Sequence, residues 1–504
     1  MPLSQFTELD EHDIDPRSVR LLDESFCRDE QVVVLGAVDR NGDEVVSLGA
    51  VEPRSRAVRE AARRLGRRVE AVRLNAYEVT RALDLGWGLP DPAQTRPLLH
   101  LSPVERISFR DDTDIPFLVD QILSVAVQAG ASDVHIETYP HDIDVRVRID
   151  GVLRQFATPL SRANIDAVVA RLKVLADLDI AERRRDQDGR LHARWRGGRD
   201  ERGIDFRLSI VPGPYGEDVV LRILDRHRGL LDLDELGFSE CDLATFEHLI
   251  TNPEGMVLVT GPTGSGKTTT LYSALQRINT PENKILTVEN PIEYRFAKTN
   301  QKQVSMQMDF ADYARAFLRQ DPDIILIGEV RDHDTADTAL KAAQTGHLVL
   351  STLHTNDSVR SVSRLQSLGV DPQLIASCLL GALAQRLLRR ICPDCREETT
   401  PTAAQAERLG LAPDTVVFRG AGCDACDDRG SKGRIGIYEL FVVDAESADL
   451  IAERAPSHTL RRAALQSGMR TLVDDAVDKA RQGLVALDEV LRIVPYRMLG
   501  DSRR

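Results

Sequence analysis

The stretch MVLVTGPTGSGKTTTLY, Met256 to Tyr272, joins an apolar run to a glycine-rich turn and then to a string with helical spacing. Gly261 to Thr268 fit GxxxxGK[ST], in the strand-before, helix-after context that this motif requires. Glycines at 261, 264 and 266 let backbone N–H groups turn inward around the β- and γ-phosphates. The following helix presents its positive N-terminus to the same anion. Nucleotide is therefore expected on Gly261, Pro262, Thr263, Gly264, Ser265, Gly266, Lys267, Thr268 and Thr269. Lys267 would counter charge on the γ-phosphate and Thr268 would ligate Mg2+. The motif does not choose the base, although no NKxD segment follows to favour GTP.

Downstream, KILTVE (284–289), DIILIG (323–328) and HLVLSTL (347–353) alternate with helical strings. Continuous apolar strands are buried on both faces, which predicts a parallel sheet in an α/β core. The segment Asp323 to Glu329 carries a carboxylate at each end. The strand's C-terminal end lies beside the phosphate loop, so Glu329 can polarise an attacking water. Asp323, at the strand's start, is the weaker candidate for the Mg2+ shell.

Upstream, Phe117 to Ala129 has helical spacing that Gly130 ends. DVHIETY (133–139), IDVRVRIDGVL (143–153), DFRLSIVP (205–212) and DVVLRIL (218–224) read as strands, with a helix over Asn164 to Ala176. This is an antiparallel α+β domain of roughly 120 residues. Residues 1–95 read as a small α/β module with apolar runs at Val32 to Leu35 and Val45 to Leu48 and a helix over Ser55 to Leu65. Trp87 to Pro103 contains Pro90, Pro92, Pro97 and Pro103 and reads as linker. The tail from Ser457 looks helical. The boundaries that follow are a module at 1–95, a linker at 96–115, an α+β domain at 116–229, a phosphate-loop core at 236–391, a cysteine-bearing subdomain at 392–435 and a helical subdomain at 436–504.

The bulk numbers agree with several domains, since 504 residues exceed one hydrophobic core. A net charge of −14 argues against general nucleic-acid binding, which calls for a basic surface. No run of 18 apolar residues occurs, and the N-terminus is acidic where a signal peptide would be basic and then apolar. A cytosolic or membrane-peripheral protein is expected.

Of the seven cysteines, four form two CxxC pairs, Cys392/Cys395 and Cys423/Cys426. Four thiolates in two knuckles suit a structural zinc site with no open position for catalysis. A redox CxxC and a rubredoxin-like iron site are the rival readings of the same residues.

GPTGSGKTTTLY, TVENPIEY, LRQDPDIILIGEVRD and TGHLVLSTLHTND resemble, in order, the Walker A, Asp-box, Walker B and His-box segments of the secretion ATPase superfamily. Its type II secretion and type IV pilus assembly branch is the most similar. GASDVHIE, VRVRIDGVL and AERRRDQDGR look like that family's PAS-like N-terminal half, and GRIGIYEL with the tetracysteine looks like its C-terminal subdomain. The resemblance spans about 113 to 498. It implies a multidomain α/β chain with a RecA-like P-loop ATPase core, a PAS-like α+β domain, a small N-terminal α/β docking module and a zinc-knuckle subdomain.

Carried over residue by residue, Lys267 and Thr268 look like phosphate and Mg2+ ligands. Glu289 and Glu293 look like the Asp-box carboxylates that face the nucleotide, and Glu329 resembles the catalytic glutamate. His347 and His354 resemble the His-box sensors of nucleotide state. Arg207 and Arg222 match arginines of the N-terminal half that reach the γ-phosphate. One departure is Asn290, which stands where the family usually has Asp in Glu-Asp-Pro and cannot act as a base.

The resemblance selects zinc for the four cysteines. It implies ATP, Mg2+ and Zn2+ as cofactors and a homo-hexameric motor that powers secretion or pilus assembly. An inner-membrane platform protein and a cytoplasmic docking protein are the implied partners, with no nucleic acid. Localisation would be cytoplasmic, peripheral to the inner membrane, with membrane contact only indirect. Residues 1–95 resemble the family's docking domain loosely, through DPRSVRLL (15–22) and VEPRSRAVREAARRLGRRVEAV (51–72). Their Arg-Leu-Gly, Arg64 to Gly66, lies late in the module, so cyclic di-GMP is not predicted. A nucleic-acid translocase and a non-hydrolysing subunit, the latter suggested by Asn290, are the competing functions.

Overall fold

The phosphate-loop strand Gly255–Thr260 lies inside a seven-stranded sheet of the computed structural model. Described residues are 16–23, 26–27, 30–40, 43–50, 55–74, 79, 82–83 and 99–104, then 114–197, 200–225, 231–296, 298–305 and 307–495. The sheet order is Thr299–Gln303, Ile285–Glu289, Ile324–Ile327, Leu348–Leu353, Gly255–Thr260, Leu379–Ile391 and Ser431–Val442. Every pairing is parallel except the last. Strands 255–260, 285–289, 324–327 and 348–353 are buried at every position, as continuous apolar runs require. Helices cover both faces, giving two separate cores on either side of the sheet.

The upstream domain is a second seven-stranded sheet, in the order 99–101, 187–197, 200–213, 216–225, 133–138, 143–149 and 152–155. Helices Ile115–Gln128 and Ile165–Ala176 pack on one face. In strand 200–213 the even positions Ile204, Phe206, Leu208 and Ile210 are buried in that core. Period-two alternation therefore turns Asp205, Arg207 and Ser209 to the other face. The N-terminal module pairs Val32–Arg40 with Asp43–Ala50 antiparallel and adds Val69–Arg73 parallel to the second strand. Helix Arg56–Leu65, capped by the Ser55 hydroxyl, makes the crossover.

Three sequence expectations are corrected and one strand is added. The run 143–153 is a hairpin, because Asp150 and Gly151 take φ of 49° and 82°, the left-handed pair of a tight two-residue turn. Gln187–Gly197, which the sequence does not mark as a strand, pairs along its whole length with 200–213. The stretch read as linker supplies the edge strand Leu99–Leu101, parallel to 193–195. The boundary at 436 falls inside strand Ser431–Val442, which completes the core sheet, and the helical tail begins only at Ala445. Residues 84–98, most of the proline-rich stretch, lie outside the described residues, as do 496–504. Among the described residues no helix is long and apolar enough to cross a membrane.

Candidate functional site

The phosphate loop folds back on itself at the C-terminal end of its strand. Gly261 has φ 154°, and a Cβ there would meet Ser265 Oγ at 2.5 Å and the Gln385 carbonyl at 2.7 Å. Only glycine fits between these atoms. Lys267 opens helix Lys267–Ile278, and its Nζ donates to the carbonyls of Gly261 (2.9 Å) and Pro262 (3.2 Å). Burial lowers the pKa of this ammonium, and the nearby Glu329 charge opposes the shift. Thr268 and Thr269 follow on the half-buried first turn.

Glu329 sits just beyond strand Ile324–Ile327, at the end of the sheet that carries the phosphate loop. It forms an ion pair with Arg331, and His354 Nε2 lies 3.5 Å from its other oxygen. The loop bearing His354 is tied to the phosphate-loop strand, where Thr355 N donates to Thr260 Oγ1 at 2.8 Å and the two hydroxyls lie 2.7 Å apart. Lys267, Glu329 and His354 are thus brought together. His347 is not. Gly255 N donates to its carbonyl, so it stands at the opposite end of the six-residue strands, about 20 Å from the phosphate loop. Its Nδ1 lies 2.8 Å from the Ala342 carbonyl, an interaction with a helix C-terminus. Asp323 is also at that far end, where its carboxylate accepts from Lys284 N at 2.6 Å.

The two Asp-box glutamates separate. Glu289 is buried and saturated by Tyr272 Oη, Thr287 Oγ1 (2.6 Å) and Gln301 Nε2 (3.1 Å), which makes it a structural anchor in this arrangement. Glu293 faces the upstream domain. Burial raises its pKa, and Arg207 and Arg222 pull it back down. Across the cleft, Arg190, Arg207 and Arg222 occupy register-paired positions on three neighbouring strands, and Asp133 and Arg148 continue the row. Arg222 Nε lies 3.2 Å from Asp133 Oδ1. Burial lowers the pKa of Arg207, with Arg190 and Arg222 reinforcing the shift and Glu293 opposing it. A cavity of about 440 Å³ lies between the arginines and Asn290, Pro291 and Gln303 of the core. Arg190 was not singled out in the sequence, where its only mark is a place in AERRRDQDGR.

A second interdomain cavity, about 470 Å³, opens beside the first turn of the phosphate-loop helix and is lined by Thr269, Thr270, Tyr294, Gln385, Leu387 and Tyr438. Asp150, Asp225, Glu235 and Arg434 add charged groups to these walls, and the volume falls in the range of small-molecule pockets. This cavity meets the phosphate loop at Gly266.

The four cysteines lie with all sulfurs within 4.8 Å of one another, and Cys392–Cys423, Cys395–Cys426 and Cys423–Cys426 are 3.9, 3.8 and 3.8 Å apart. Tetrahedral coordination with zinc–sulfur bonds of about 2.3 Å places sulfurs about 3.8 Å apart, so the set is compatible with a zinc knuckle. Backbone N–H groups of Gly422 and Gly430 point at Cys395 and Cys426 Sγ (3.3 and 3.2 Å), which favours thiolates.

Fold and site define a P-loop nucleotide-binding α/β core joined to an arginine-bearing α+β domain. Residues 109–492 match the family described as type II/IV secretion system protein, and residues 2–85 match the MshEN domain. The chain belongs to the type II/IV secretion system protein family. It is 45% identical over 390 residues to the type II secretion system ATPase E of Vibrio cholerae, covering 76% of each chain. It is 45% identical over 388 residues to the type IV pilus assembly ATPase PilB of Myxococcus xanthus, covering 76% of this chain and 68% of that one. Among solved structures, the pilus retraction motor PilT with bound ADP aligns at a TM-score of 0.50 and 27% identity, over 74% of this chain and 95% of PilT.

Proposed function

We propose that this chain is an ATP-hydrolysing motor subunit that acts as a homo-hexamer to drive type II secretion or type IV pilus assembly. The carrying observation is the placement of Glu329 beside Lys267 at the phosphate loop, with arginines of the upstream domain facing the Asp-box segment at Asn290 and Pro291 of the same core. The ATPase names of the relatives support the same reading.

In this mechanism the phosphate-loop N–H groups and Lys267 hold the β- and γ-phosphates, and Thr268 holds Mg2+. Bound Mg2+ supplies charge neutralisation on the triphosphate. Glu329 accepts the proton of the attacking water, and His354 orients it. Arg207 and Arg222 bring positive charge to the γ-phosphate when the PAS-like domain closes on the RecA-like core. Closure is favoured with the γ-phosphate present and relaxes after it leaves, so nucleotide selects between two arrangements. Glu293 of the core, whose charge interacts with both arginines, would offset their charge until the γ-phosphate takes its place. The zinc held by Cys392, Cys395, Cys423 and Cys426 would be structural, with four ligands and no open position. The N-terminal module docks the ring to an inner-membrane platform protein and a cytoplasmic partner, which keeps the chain at the membrane without crossing it.

Glu329→Gln tests the reading, because it removes only the proton acceptor. Nucleotide affinity should stay within a few fold while turnover is lost. Turnover at the parental rate would show that another group does this work.

A further inference from the structure

Gln385 occupies a position that no part of the proposed mechanism uses. It lies on strand Leu379–Ile391, whose Ala384 pairs with Thr260 at the end of the phosphate-loop strand, and it is 1% exposed. Its Nε2 donates to the Ser265 carbonyl at 2.6 Å. Its own carbonyl packs against Gly261, and its Nε2 would lie 3.0 Å from a Cβ on Gly266. The loop therefore closes around this one side chain.

The amide cannot turn over, because the Ser265 carbonyl accepts only from an N–H. That fixes Oε1, which is buried and has no hydrogen-bond partner among the described residues. Buried acceptors are rarely left unpaired, and an unexplained one asks for a missing donor. Gln385 lines the cavity that adjoins Gly266, Thr269 and Thr270, whose other walls include Tyr294, Leu387 and Tyr438. The walls combine these two tyrosine rings and the leucine side chain with polar groups that include Asp150, Asp225, Glu235 and Arg434. Beside the phosphate loop Gln385 sets one fixed acceptor, an arrangement that suits a heteroaromatic base presenting an N–H. Adenine offers its N6 amine, whereas guanine presents the O6 acceptor at the corresponding edge and would be repelled.

We propose that Gln385 selects adenine by accepting a hydrogen bond from its exocyclic amine, and at the same time braces the phosphate loop through Ser265. The inference rests on the nucleoside occupying this cavity. It makes base recognition and phosphate-loop geometry properties of a single amide.

The test measures equilibrium affinity of the full chain for ATP, for purine riboside triphosphate, which lacks only the 6-amino group, and for GTP. Wild type should bind the deaminated analogue about tenfold more weakly than ATP, the usual worth of one neutral hydrogen bond. GTP should bind more weakly still. In Gln385→Met, ATP and the analogue should converge to within about twofold, because deleting either partner of a pair removes the same coupling. A merely structural brace would weaken both ligands equally and leave their ratio unchanged. Gln385→Glu keeps an acceptor but sets a carboxylate against the Ser265 carbonyl, so all affinities should fall while the ATP preference persists. Equal wild-type affinity for ATP and the analogue would overturn the proposal without any variant, as would a ratio preserved in Gln385→Met or lost in Gln385→Glu. Failure of wild type to bind any of the three would contradict the nucleotide site itself, a separate result.

Discussion

Arg207 and Arg222 stand directly opposite one another on adjacent antiparallel strands, and Arg190 is the register partner of Arg207 on its other side. Like charges in opposed positions are unfavourable in a sheet. Asp133 balances Arg222, and Glu293 of the core, with Asp205, favours the charged form of Arg207. The row thus faces the cleft with excess positive charge, as a surface that receives a polyanion should.

Arg190 is expected to share this work. Arg190→Ala should reduce turnover by roughly tenfold, less than an arginine finger's roughly 10³–10⁵. Steady-state hydrolysis at saturating ATP checks it, and an unchanged rate would confine the clamp to Arg207 and Arg222.

Gly261→Ala should abolish nucleotide binding while the chain stays folded. The new Cβ collides with the Gln385 carbonyl, a backbone atom that cannot rotate away, so the loop must open. A loss of affinity of at least about a hundredfold is expected from displaced phosphate-loop N–H groups, with an unchanged circular dichroism spectrum.

Protein purified without chelator is expected to carry one zinc per chain by elemental analysis. Structural zinc is worth roughly 10–16 kcal/mol in small peptides, so Cys395→Ser should lose the metal and disorder the segment around 392–430. Limited proteolysis should report new cleavage there.

Glu489 fastens the C-terminal helix Leu487–Ile493 to strand 379–391, accepting from Arg389 N (3.0 Å), Arg389 Nη2 (2.8 Å) and Arg492 Nη2 (2.6 Å). Burial alone would raise its pKa, but the hydrogen bonds from Arg492 and Arg389 bring it down to about 2 from 4.5. A depressed carboxylate stabilises the fold above its unfolded pKa and loses that contribution as pH falls through its folded value. Glu489→Gln should therefore cost about 3 kcal/mol at neutral pH. The deficit should shrink between about pH 4.5 and pH 2 in denaturant melts.

The nucleotide core was legible because its signals are local. A strand, a glycine turn and a helix are contiguous in Met256 to Tyr272, and apolar runs mark the strands beside it. What the sequence concealed was set by tertiary context. LLGALAQRLLRRI (379–391) is rich in helix-favouring Leu, Ala and Arg, yet it is a strand, because it is sandwiched between Gly255–Thr260 and Ser431–Val442 and buried on both faces. Gln385 and Arg190 were hidden for the same reason, since their neighbours are distant in sequence. His347 misled in the other direction. A motif that places two histidines seven residues apart cannot bring both to one end of a strand that spans the sheet between them.

The central claim is that hydrolysis needs positive charge carried across from the upstream domain. It is tested most directly by single-turnover hydrolysis and ATP affinity measured together on intact hexamers of Arg207→Ala and Arg222→Ala. Affinity should remain within a few fold of wild type while hydrolysis falls by roughly 10³ or more, the range of arginine delivery in other P-loop enzymes. Near-normal hydrolysis in both variants would contradict domain closure as the step that completes the site.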